Sequence, residues 1–438
     1  MGSNLDNVIN NKLENIEKNE NSFSCGSVRM VRQYVVESSG LSEAFYFEKV
    51  TVGDGNEGYV DAINRDSVHI ALTKINSEIN IGDRVVATGD IFTCQYSEDS
   101  FGHVIDMFGY DRMADKQLEN LSTLPVEADP IPIMDRTSVV RPFPTGIGGI
   151  DLLCPIGKGQ RQLIIGDKKI GKTQICLDTI VNQRGKDVIC IYTAIGKTKK
   201  EVKEVYSKLF QHDAMSYTII LAAFNDDSAP VLKNTPYAAI SIANKYMMEG
   251  KDVLVVIDDL KRHADVCREI ALLMGKMPGR DAYPTDIFYA HSRMLEMGCQ
   301  HKDGGSITIL PICETKGGDI TDYISTNVIS ITDGQIVLST SLFEKGQKPA
   351  IDYGLSVSRL GGNVQTEAMR KTGIALRREL LAYLEQQEVF ELANMDEMSE
   401  AMRSRMKRGS RITAMLKQGK FAVKSSERIL EEVRALEH

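Results

Sequence analysis

The chain has 438 residues, enough for about three domains of ordinary size. Its 42% hydrophobic and 26% charged residues are typical of a soluble globular protein and exclude disordered and fibrous classes. A formal net charge of −8 argues against a general nucleic-acid-binding protein, so we predict no nucleic-acid partner.

Hydropathy and cysteine spacing predict a cytoplasmic protein. No apolar run approaches the roughly 18 residues that cross a bilayer, and the N-terminal stretch is polar rather than signal-like. The eight cysteines are dispersed and contain no C-x-x-C pair, which is typical of reduced thiols rather than of a zinc site or a disulfide framework.

The first third of the chain begins with a polar arm and continues with strand-like segments. Residues 1–23 contain few large apolar side chains, and we predict a flexible arm. Residues 24–92 lack helical periodicity and carry short apolar stretches separated by turn signals such as Gly53-Asp-Gly55. These stretches are 47–52, 67–72 and 83–88. The pattern predicts a small β-barrel.

Residues 93–371 are predicted to form one α/β domain, entered through a proline-rich passage at 124–144. Apolar strands alternate there with amphipathic helices. The predicted strands are 162–165, 188–192, 218–222, 253–257 and 306–310, and the predicted helices are 200–210, 236–248 and 262–274. Such alternation favours a mostly parallel sheet covered by helices on both faces, with ligands at the carboxyl ends of its strands.

A phosphate-binding loop follows the first of these strands. Its sequence matches G-x-x-x-x-G-K-T between a strand and a helix, where backbone N–H groups can surround a polyphosphate. Lys172 is expected to reach the β- and γ-phosphates of ATP or ADP. The alternative is a surface turn with the same letters. The predicted nucleotide-binding residues are Gly166, Asp167, Lys168, Lys169, Ile170, Gly171, Lys172, Thr173, Gln174 and Lys197.

Two carboxylates, Asp258 and Asp259, follow the apolar strand 253–257. We predict that Asp258 holds Mg²⁺ through water and accepts a hydrogen bond from Thr173, whose hydroxyl ligates the same ion. The alternative is that the two aspartates only cap the following helix.

Hydrolysis needs a group that polarises the attacking water, and the end of strand 188–192 is where a carboxylate is expected. Lys197 lies there instead, and a charged lysine cannot accept a proton. We consider two positions for its side chain, one on the phosphates and one in solvent. Glu201 is the alternative source of a carboxylate.

Residues 372–438 are predicted to form a helical C-terminal domain. Between Arg403 and Lys424 there are eight lysines and arginines and no acidic residue. A solvated helix face is one interpretation, and a docking surface for an acidic partner is the other.

The chain resembles the α-type subunit of F-type rotary ATP synthases, over about residues 25–423. The matching stretches are 145–151, 155–161, 166–173, 278–284, 291–293, 323–335, 354–359 and 408–420. The resemblance implies a multidomain α/β fold with an N-terminal β-barrel, a central RecA-like P-loop domain and C-terminal helices. It also implies a nucleotide-binding, non-catalytic subunit that alternates with a catalytic β-type subunit around a central γ-type subunit.

The same resemblance assigns a role in trans to Arg359, which is expected to be an arginine finger inserted into the neighbouring β-type site. A surface arginine paired with a carboxylate is the alternative. Thr321 keeps a hydroxyl where the family has serine near that interface. Catalytic subunits carry Glu and α-type subunits Gln at the position of Lys197.

The shortened C-terminal domain and a cationic pocket of Lys168, Lys169 and Lys197 suggest a divergent paralogue, attached to a different membrane or motility machine. Two departures from the family lie in the C-terminal region. The adenine-contacting glutamines are not reproduced around Gln387 to Leu392, and the C-terminal helical domain is shortened. Through the assembled complex the chain is expected to lie in the cytoplasm, peripheral to the membrane.

Two other functions remain open. A self-sufficient homohexameric ATPase motor, of the secretion or Rho type, shares this core but requires a carboxylate at position 197, and RNA handling favours a basic, aromatic-bearing barrel. A structural ring spacer that binds no nucleotide is the third possibility, and the intact Lys172, Thr173 and Asp258 argue against it.

Overall fold

The computed structural model describes residues 24–390 and 400–436, so the predicted arm at 1–23 lies outside the described residues. The described chain forms a closed β-barrel, a central α/β domain built on a large sheet, and a C-terminal group of helices. The predicted fold class is therefore confirmed.

Six strands close the barrel in the order β1-β2-β5-β4-β3-β6. Alternate side chains along them point inward and give a core rich in valine, including Val36, Val50 and Val85. The strands are β1 Cys25–Arg32, β2 Val35–Ser39, β3 Glu48–Val52, β4 Asn56–Ile63, β5 Val68–Lys74 and β6 Arg84–Ile91.

The remaining strands belong to the central domain. They are β7 Thr93–Tyr96, β8 Val104–Ile105, β9 Tyr110–Asp111, β10 Lys116–Gln117, β11 Ser122–Pro125, β12 Arg136–Thr137, β13 Gln162–Gly166, β14 Val188–Lys197, β15 Thr218–Phe224, β16 Asp252–Asp258, β17 Cys299–His301, β18 Ser306–Glu314, β19 Gly334–Leu338 and β20 Ile351–Ser358.

The α-helices of the described residues cover this sheet and build the C-terminal region. They are α1 Gly148–Leu153, α2 Lys172–Val181, α3 Lys199–Gln211, α4 Ala229–Met248, α5 Leu260–Leu273, α6 Ile287–Leu295, α7 Tyr323–Ile331, α8 Thr340–Glu344, α9 Glu367–Phe390, α10 Glu400–Leu416 and α11 Ser426–Arg434.

The large sheet has the order β10-β9-β8-β15-β14-β16-β18-β13-β19-β20. From β15 to β19 in this order, each strand is parallel to the next one. Strand β20 pairs antiparallel with β19 and forms the end of the sheet. Successive residues of β16 enter different cores: Val253 and Val255 pack on one face, Leu254 and Val256 on the other. Both faces are therefore covered, as continuous apolar parallel strands require.

Each predicted strand of the central domain is present, and helix α4 differs most from expectation. It begins at Ala229 rather than at Pro236, and Pro236 lies inside it. A proline usually marks the first turn of a helix, and here Pro230 occupies that place while a second proline is accommodated further along. The buried packing of α4 outweighs this local preference.

Within the described ranges, no helix is long and apolar enough to cross a bilayer, and no two cysteines are joined in a disulfide. No group of three or more His, Cys, Asp or Glu side chains in the same ranges is placed to hold a metal ion.

A buried ion cluster joins the barrel to the central domain. Asp61 of β4 is 4% exposed and contacts the ammonium groups of Lys233, on α4, and Lys276, the latter at 3.2 Å. Burial opposes the charge of Asp61, but the two lysines outweigh it and lower the pKa of Asp61 to about 2. The barrel is therefore attached to the sheet domain by a cluster of three charges around a buried carboxylate.

Substituting Asp61→Asn should reduce the free energy of unfolding by about 3–5 kcal/mol, because it leaves the Lys233 ammonium buried without a counter-charge. Urea denaturation measures this loss. Glu57→Gln, in the half-exposed Lys49–Glu57 pair of the same barrel, is the control and should cost less than about 1 kcal/mol. Equally small losses in both variants would contradict the anchoring role of Asp61.

Two buried histidines lie beside this cluster. His263 Nε2 contacts the Lys233 carbonyl at 3.1 Å and its Nδ1 contacts His291 Nε2 at 3.1 Å. The carbonyl can only accept, so His263 donates from Nε2 and accepts at Nδ1 from His291. Burial lowers the pKa of His263 to about 4 and holds the pKa of His291 well below its usual range. Both rings are therefore neutral in the folded protein.

The neutral pair predicts a loss of stability in mild acid. Between pH 6.5 and pH 4 the unfolded state binds protons that folded His263 does not, so stability falls as the pH falls through that window. For His263 alone the loss between pH 7 and pH 5 is about 2 kcal/mol, measured by urea denaturation at each pH. Asp61 titrates lower, and His263→Gln should remove part of the effect. The comparison with His263→Gln isolates the histidine, because buried Asp151, whose pKa burial raises to about 6, acts in the opposite direction in both proteins. The same pH dependence in wild type and His263→Gln would contradict a neutral pair.

Candidate functional site

The candidate site lies at the carboxyl edge of the parallel strands. Neighbouring strands β14, β16, β18 and β13 end at Lys197, Asp258, Glu314 and Gly166 in that order. The sheet therefore brings one ammonium, two carboxylates and the start of the phosphate loop to one edge, where ligands of parallel α/β sheets bind.

The phosphate loop joins β13 to α2 through a left-handed backbone. Gly171, the residue before α2, has φ +110°, and glycine adopts this conformation without steric cost. At Gly166, a Cβ atom would lie 2.8 Å from the Leu338 carbonyl oxygen. The two glycines therefore let the loop turn tightly against β19 and direct the N-terminus of α2 at the site.

Lys172 begins helix α2 and is 7% exposed. Its ammonium donates to the carbonyl oxygens of Gly166 and Asp167, at 2.7 and 2.5 Å. Burial lowers its pKa, and the carboxylate of Glu314 acts against that shift. A cation held inside the loop at a helix N-terminus is suited to polyphosphate oxygens, which attract both the charge and the backbone N–H groups.

The other side chains of the loop divide between structural contacts and solvent. Asp167 accepts hydrogen bonds from the hydroxyls of Thr315 and Thr340, at 2.7 and 2.8 Å, and so ties the loop to the segments after β18 and β19. Lys168 and Lys169 are exposed. Asp167 therefore offers a ligand its backbone rather than its carboxylate.

Gln174 and Ile170 complete the predicted set. The Gln174 amide donates to Asp178 one turn along α2, at 2.7 Å. Ile170 is buried, 5% exposed, and its side chain packs beneath the loop. In the structure both side chains therefore contact the protein itself, and a ligand contact by either stays a prediction.

Asp258 is 2% exposed and has three hydrogen-bond donors around its carboxylate. Oδ2 accepts from Thr173 Oγ1 at 3.0 Å and from the Tyr192 hydroxyl at 2.6 Å. Oδ1 lies 2.7 Å from Lys197 Nζ. The predicted Thr173–Asp258 contact is therefore present.

Asp259 has a different function from Asp258. Its side chain caps helix α5 by accepting from the Arg262 N–H at 2.6 Å, and it lies 3.5 Å from Lys197 Nζ. The helix-capping interpretation is thus correct for Asp259, while Asp258 faces the loop.

Lys197 does not project into solvent, which corrects one of the two positions considered from the sequence. Strand β14 extends five residues beyond its predicted end at residue 192, and the Lys197 side chain crosses to the end of β16. Burial opposes the charge of Lys197, but Asp258 and Asp259 outweigh it and raise the pKa of its ammonium. The group is therefore a cation paired with two carboxylates.

Glu201 does not supply the missing carboxylate. It accepts from the Thr198 N–H and hydroxyl, at 2.8 and 2.7 Å, and so completes a capping box at the start of α3. The spacing Thr198-x-x-Glu201 is itself a capping signal in the sequence.

Glu314 was missed from the sequence. It ends β18 directly opposite Gly166 of the phosphate loop. Its carboxylate attracts the Lys172 ammonium and opposes the lowering of that lysine's pKa by burial. A carboxylate after an apolar strand, the signal that identified Asp258, also identifies Glu314.

The predicted magnesium ligands do not fit that ion in the arrangement that the structure shows. Asp258 was expected to accept from Thr173 and from water bound to the metal, yet its Oδ1 accepts from the Lys197 ammonium and its Oδ2 from Tyr192 as well as Thr173. An ammonium on Oδ1 also places one positive charge where water on a divalent ion was expected.

Arg359 lies far from the phosphate loop. It follows β20, whose last residue, Ser358, pairs with Gly334, and Gly334 pairs with Gln162 at the start of β13. Gly166 is four residues further along β13, or about 13 Å at strand spacing. Arg359 therefore lies near the amino ends of the parallel strands, whereas the phosphate loop lies at their carboxyl ends.

The surroundings of Arg359 are open. Its side chain is exposed and donates to the Thr332 carbonyl at 3.2 Å. Leu355 and Val357 of edge strand β20 are 49% and 40% exposed. Apolar side chains on an uncovered edge strand are typical of a surface that another chain covers. Thr321 donates to Asp319 at 2.6 Å within an exposed turn.

The C-terminal region contacts the helix that begins at the loop. The Gln418 amide bonds to Gly146 and Gly148, at 2.7 and 3.0 Å, and the Phe421 N–H donates to Asp178 of α2 at 3.0 Å. Segment 418–421 is therefore packed beside α2. The predicted departure at Gln387 to Leu392 concerns side chains outside the described residues.

Residues 146–358 match the model of the ATP synthase alpha/beta family, nucleotide-binding domain. The matched segment contains the phosphate loop, Lys197 and Asp258, and it ends one residue before Arg359. The match supports nucleotide binding and the F-type ATPase alpha/beta family, and α-type and β-type subunits share it.

Substituting Lys172→Ala should weaken ATP binding at least tenfold, because a charge-assisted hydrogen bond to phosphate contributes about 1.5–3 kcal/mol. Titration with a fluorescent ATP analogue measures the dissociation constant. Lys203→Ala, an exposed lysine of α3 outside the loop, is the control and should change it less than threefold, or about 0.6 kcal/mol. Unchanged affinity in Lys172→Ala would contradict the assignment of the loop.

Proposed function

Because residues 146–358 match the model of the ATP synthase alpha/beta family, nucleotide-binding domain, we propose that the chain is an α-type subunit of an F-type or F-type-like rotary ATPase. In this proposal it binds ATP or ADP without hydrolysing it and provides Arg359 to the catalytic site of a neighbouring β-type subunit.

The observation that carries the proposal is the ion pair of Lys197. Phosphoryl transfer to water needs a group that orients and polarises the attacking water. At the end of β14 that position holds an ammonium 2.7 Å from Asp258, and an ammonium cannot accept a proton. The pocket therefore has the cations that hold a polyphosphate but lacks a free base at this strand end.

Neighbouring carboxylates do not replace that base easily. Asp258 and Asp259 are engaged with Lys197, and Glu201 completes the capping box of α3. Glu314 favours a second candidate function, a self-sufficient homohexameric ATPase, because its carboxylate ends β18 beside the phosphate loop. The two candidates differ in whether the chain alone turns over ATP.

The position of Arg359 supports action in trans. It lies about 13 Å along the sheet from the chain's own phosphate loop and is exposed beside the apolar residues Leu355 and Val357. A guanidinium there can neutralise charge that develops on a phosphoryl group held by another subunit.

The proposed assembly follows from these two roles. The chain alternates with a β-type partner in an α3β3 ring, around a central γ-type subunit, on the cytoplasmic face of a membrane or motility assembly. We include no nucleic acid in this proposal. Magnesium, predicted from Thr173 and Asp258, is left out of it because Asp258 is already paired with Lys197.

Substituting Arg359→Ala in a reconstituted ring should lower ATP turnover about 10³- to 10⁵-fold, the range found for arginine fingers. The assay uses this chain with a β-type partner and measures phosphate release. Arg184→Ala, an arginine whose side chain is 65% exposed, is the control and should leave turnover unchanged.

Two results would contradict the proposal. If the chain alone hydrolyses ATP and Glu314→Gln abolishes that activity, the homohexameric motor is correct. If ATP turnover by the reconstituted ring is unchanged in Arg359→Ala, the arginine does not act in trans.

A further inference from the structure

We propose that the Lys197 ammonium takes the place of magnesium in this pocket, so that the chain binds nucleotide without a divalent metal. The inference rests on the proposed function, because it concerns the same nucleotide site. It goes further by specifying the chemical form of the ligand, which is metal-free ATP or ADP.

The first argument is the ammonium that already lies on Oδ1 of Asp258. A P-loop magnesium ion carries water molecules, and the carboxylate at the end of the neighbouring strand accepts hydrogen bonds from them. Here Oδ1 of Asp258 accepts from Lys197, and Oδ2 accepts from Thr173 and Tyr192. These donors take three of the about four acceptor positions of a carboxylate, so water on a metal ion would have to share Oδ1 with an ammonium in a nearly fully buried group.

The second argument is the repulsion between the Lys197 ammonium and a metal ion. Thr173 donates its proton to Asp258 at 3.0 Å, as a metal-binding threonine would, and its oxygen lone pairs stay available. A divalent ion that binds both Thr173 and water on Asp258 would lie close to the Lys197 ammonium on the same carboxylate. Like charges at such a distance repel strongly where burial excludes water.

The third argument concerns the attachment of Lys197. The β14 ladder is irregular between Ile195 and Lys197, and Gly196 has φ +61°. This bend brings the side chain across to Asp258 and Asp259 on the neighbouring strand. Arg262, which follows them on α5, lies against Gly196, where a Cβ atom would be 2.7 Å from its Nε. The backbone therefore holds the lysine in this place.

The ammonium can also bind the ligand. Lysine has three N–H donors, and within the described part of the chain its acceptors are Asp258 and Asp259. The third N–H can donate to a phosphate oxygen. With Lys172 on the loop, two fixed cations then face the polyphosphate.

The experiment compares ATP binding to the purified full-length chain with magnesium chloride in excess and with EDTA. We expect the wild-type dissociation constant to differ less than threefold between the two conditions. In Lys197→Gln, which leaves Oδ1 of Asp258 available to water on a metal, removal of magnesium should weaken binding at least tenfold. Lys199→Gln, a neighbouring exposed lysine, is the matched control and should behave as the wild type.

Electron paramagnetic resonance with Mn²⁺ in place of Mg²⁺ gives an independent measurement on the wild-type chain. We expect no Mn²⁺ bound with each ATP in the wild type and one in Lys197→Gln. If Lys197→Gln does not fold, the wild-type titration and the wild-type Mn²⁺ stoichiometry still decide the matter.

The outcomes separate this inference from the proposed function. A wild-type chain that needs magnesium, or that binds one Mn²⁺ with each ATP, overturns the inference and leaves the nucleotide-binding subunit intact. A wild-type chain that binds no ATP in either condition overturns both.

Discussion

The contact between Lys197 and the two aspartates at the end of β16 determines the chemistry of the whole site. It joins two neighbouring strands and gives Asp258 a counter-charge inside the protein. It also places an ammonium group where a catalytic base is expected. Because Asp258 also accepts from Thr173, the same network extends to the first turn of α2. The phosphate loop is thus connected to a paired carboxylate rather than to an open one.

The rest of the fold serves to hold that edge in place. Apolar side chains fill both faces of the parallel sheet, so the strand ends have little freedom to move apart. Asp167 fastens the loop to the segments after β18 and β19, and segment 418–421 packs against α2 from the C-terminal region. Barrel and sheet domain are joined in turn by the buried cluster of Asp61, Lys233 and Lys276.

Local patterns in the sequence predict the strands and the phosphate loop, because each depends on neighbours within one strand, turn or helix start. The Thr173–Asp258 contact joins residues 85 positions apart, and its prediction rests on the known partnership of a phosphate loop with a carboxylate at a strand end. The partner of Lys197 is not predictable in this way, since it depends on which strand lies beside β14. The contact of Gln418 with Gly146 joins residues far apart in the chain for the same reason. The Glu201 capping box follows from the Thr198-x-x-Glu201 spacing alone. Pro236 lies inside a helix, where tertiary packing outweighs the preference of proline for the first helical turn.

The phosphate loop and Arg359 lie at opposite ends of the strands of one sheet, so the two ends of the domain carry different chemical groups. Two copies related by a two-fold axis would face each other with identical surfaces, and an arginine surface would meet another arginine surface. An arginine surface can meet a loop surface only in a head-to-tail contact, and such contacts give a ring where the rotation closes and an open filament where it does not. The proposed action of Arg359 in trans therefore requires a directional contact between subunits.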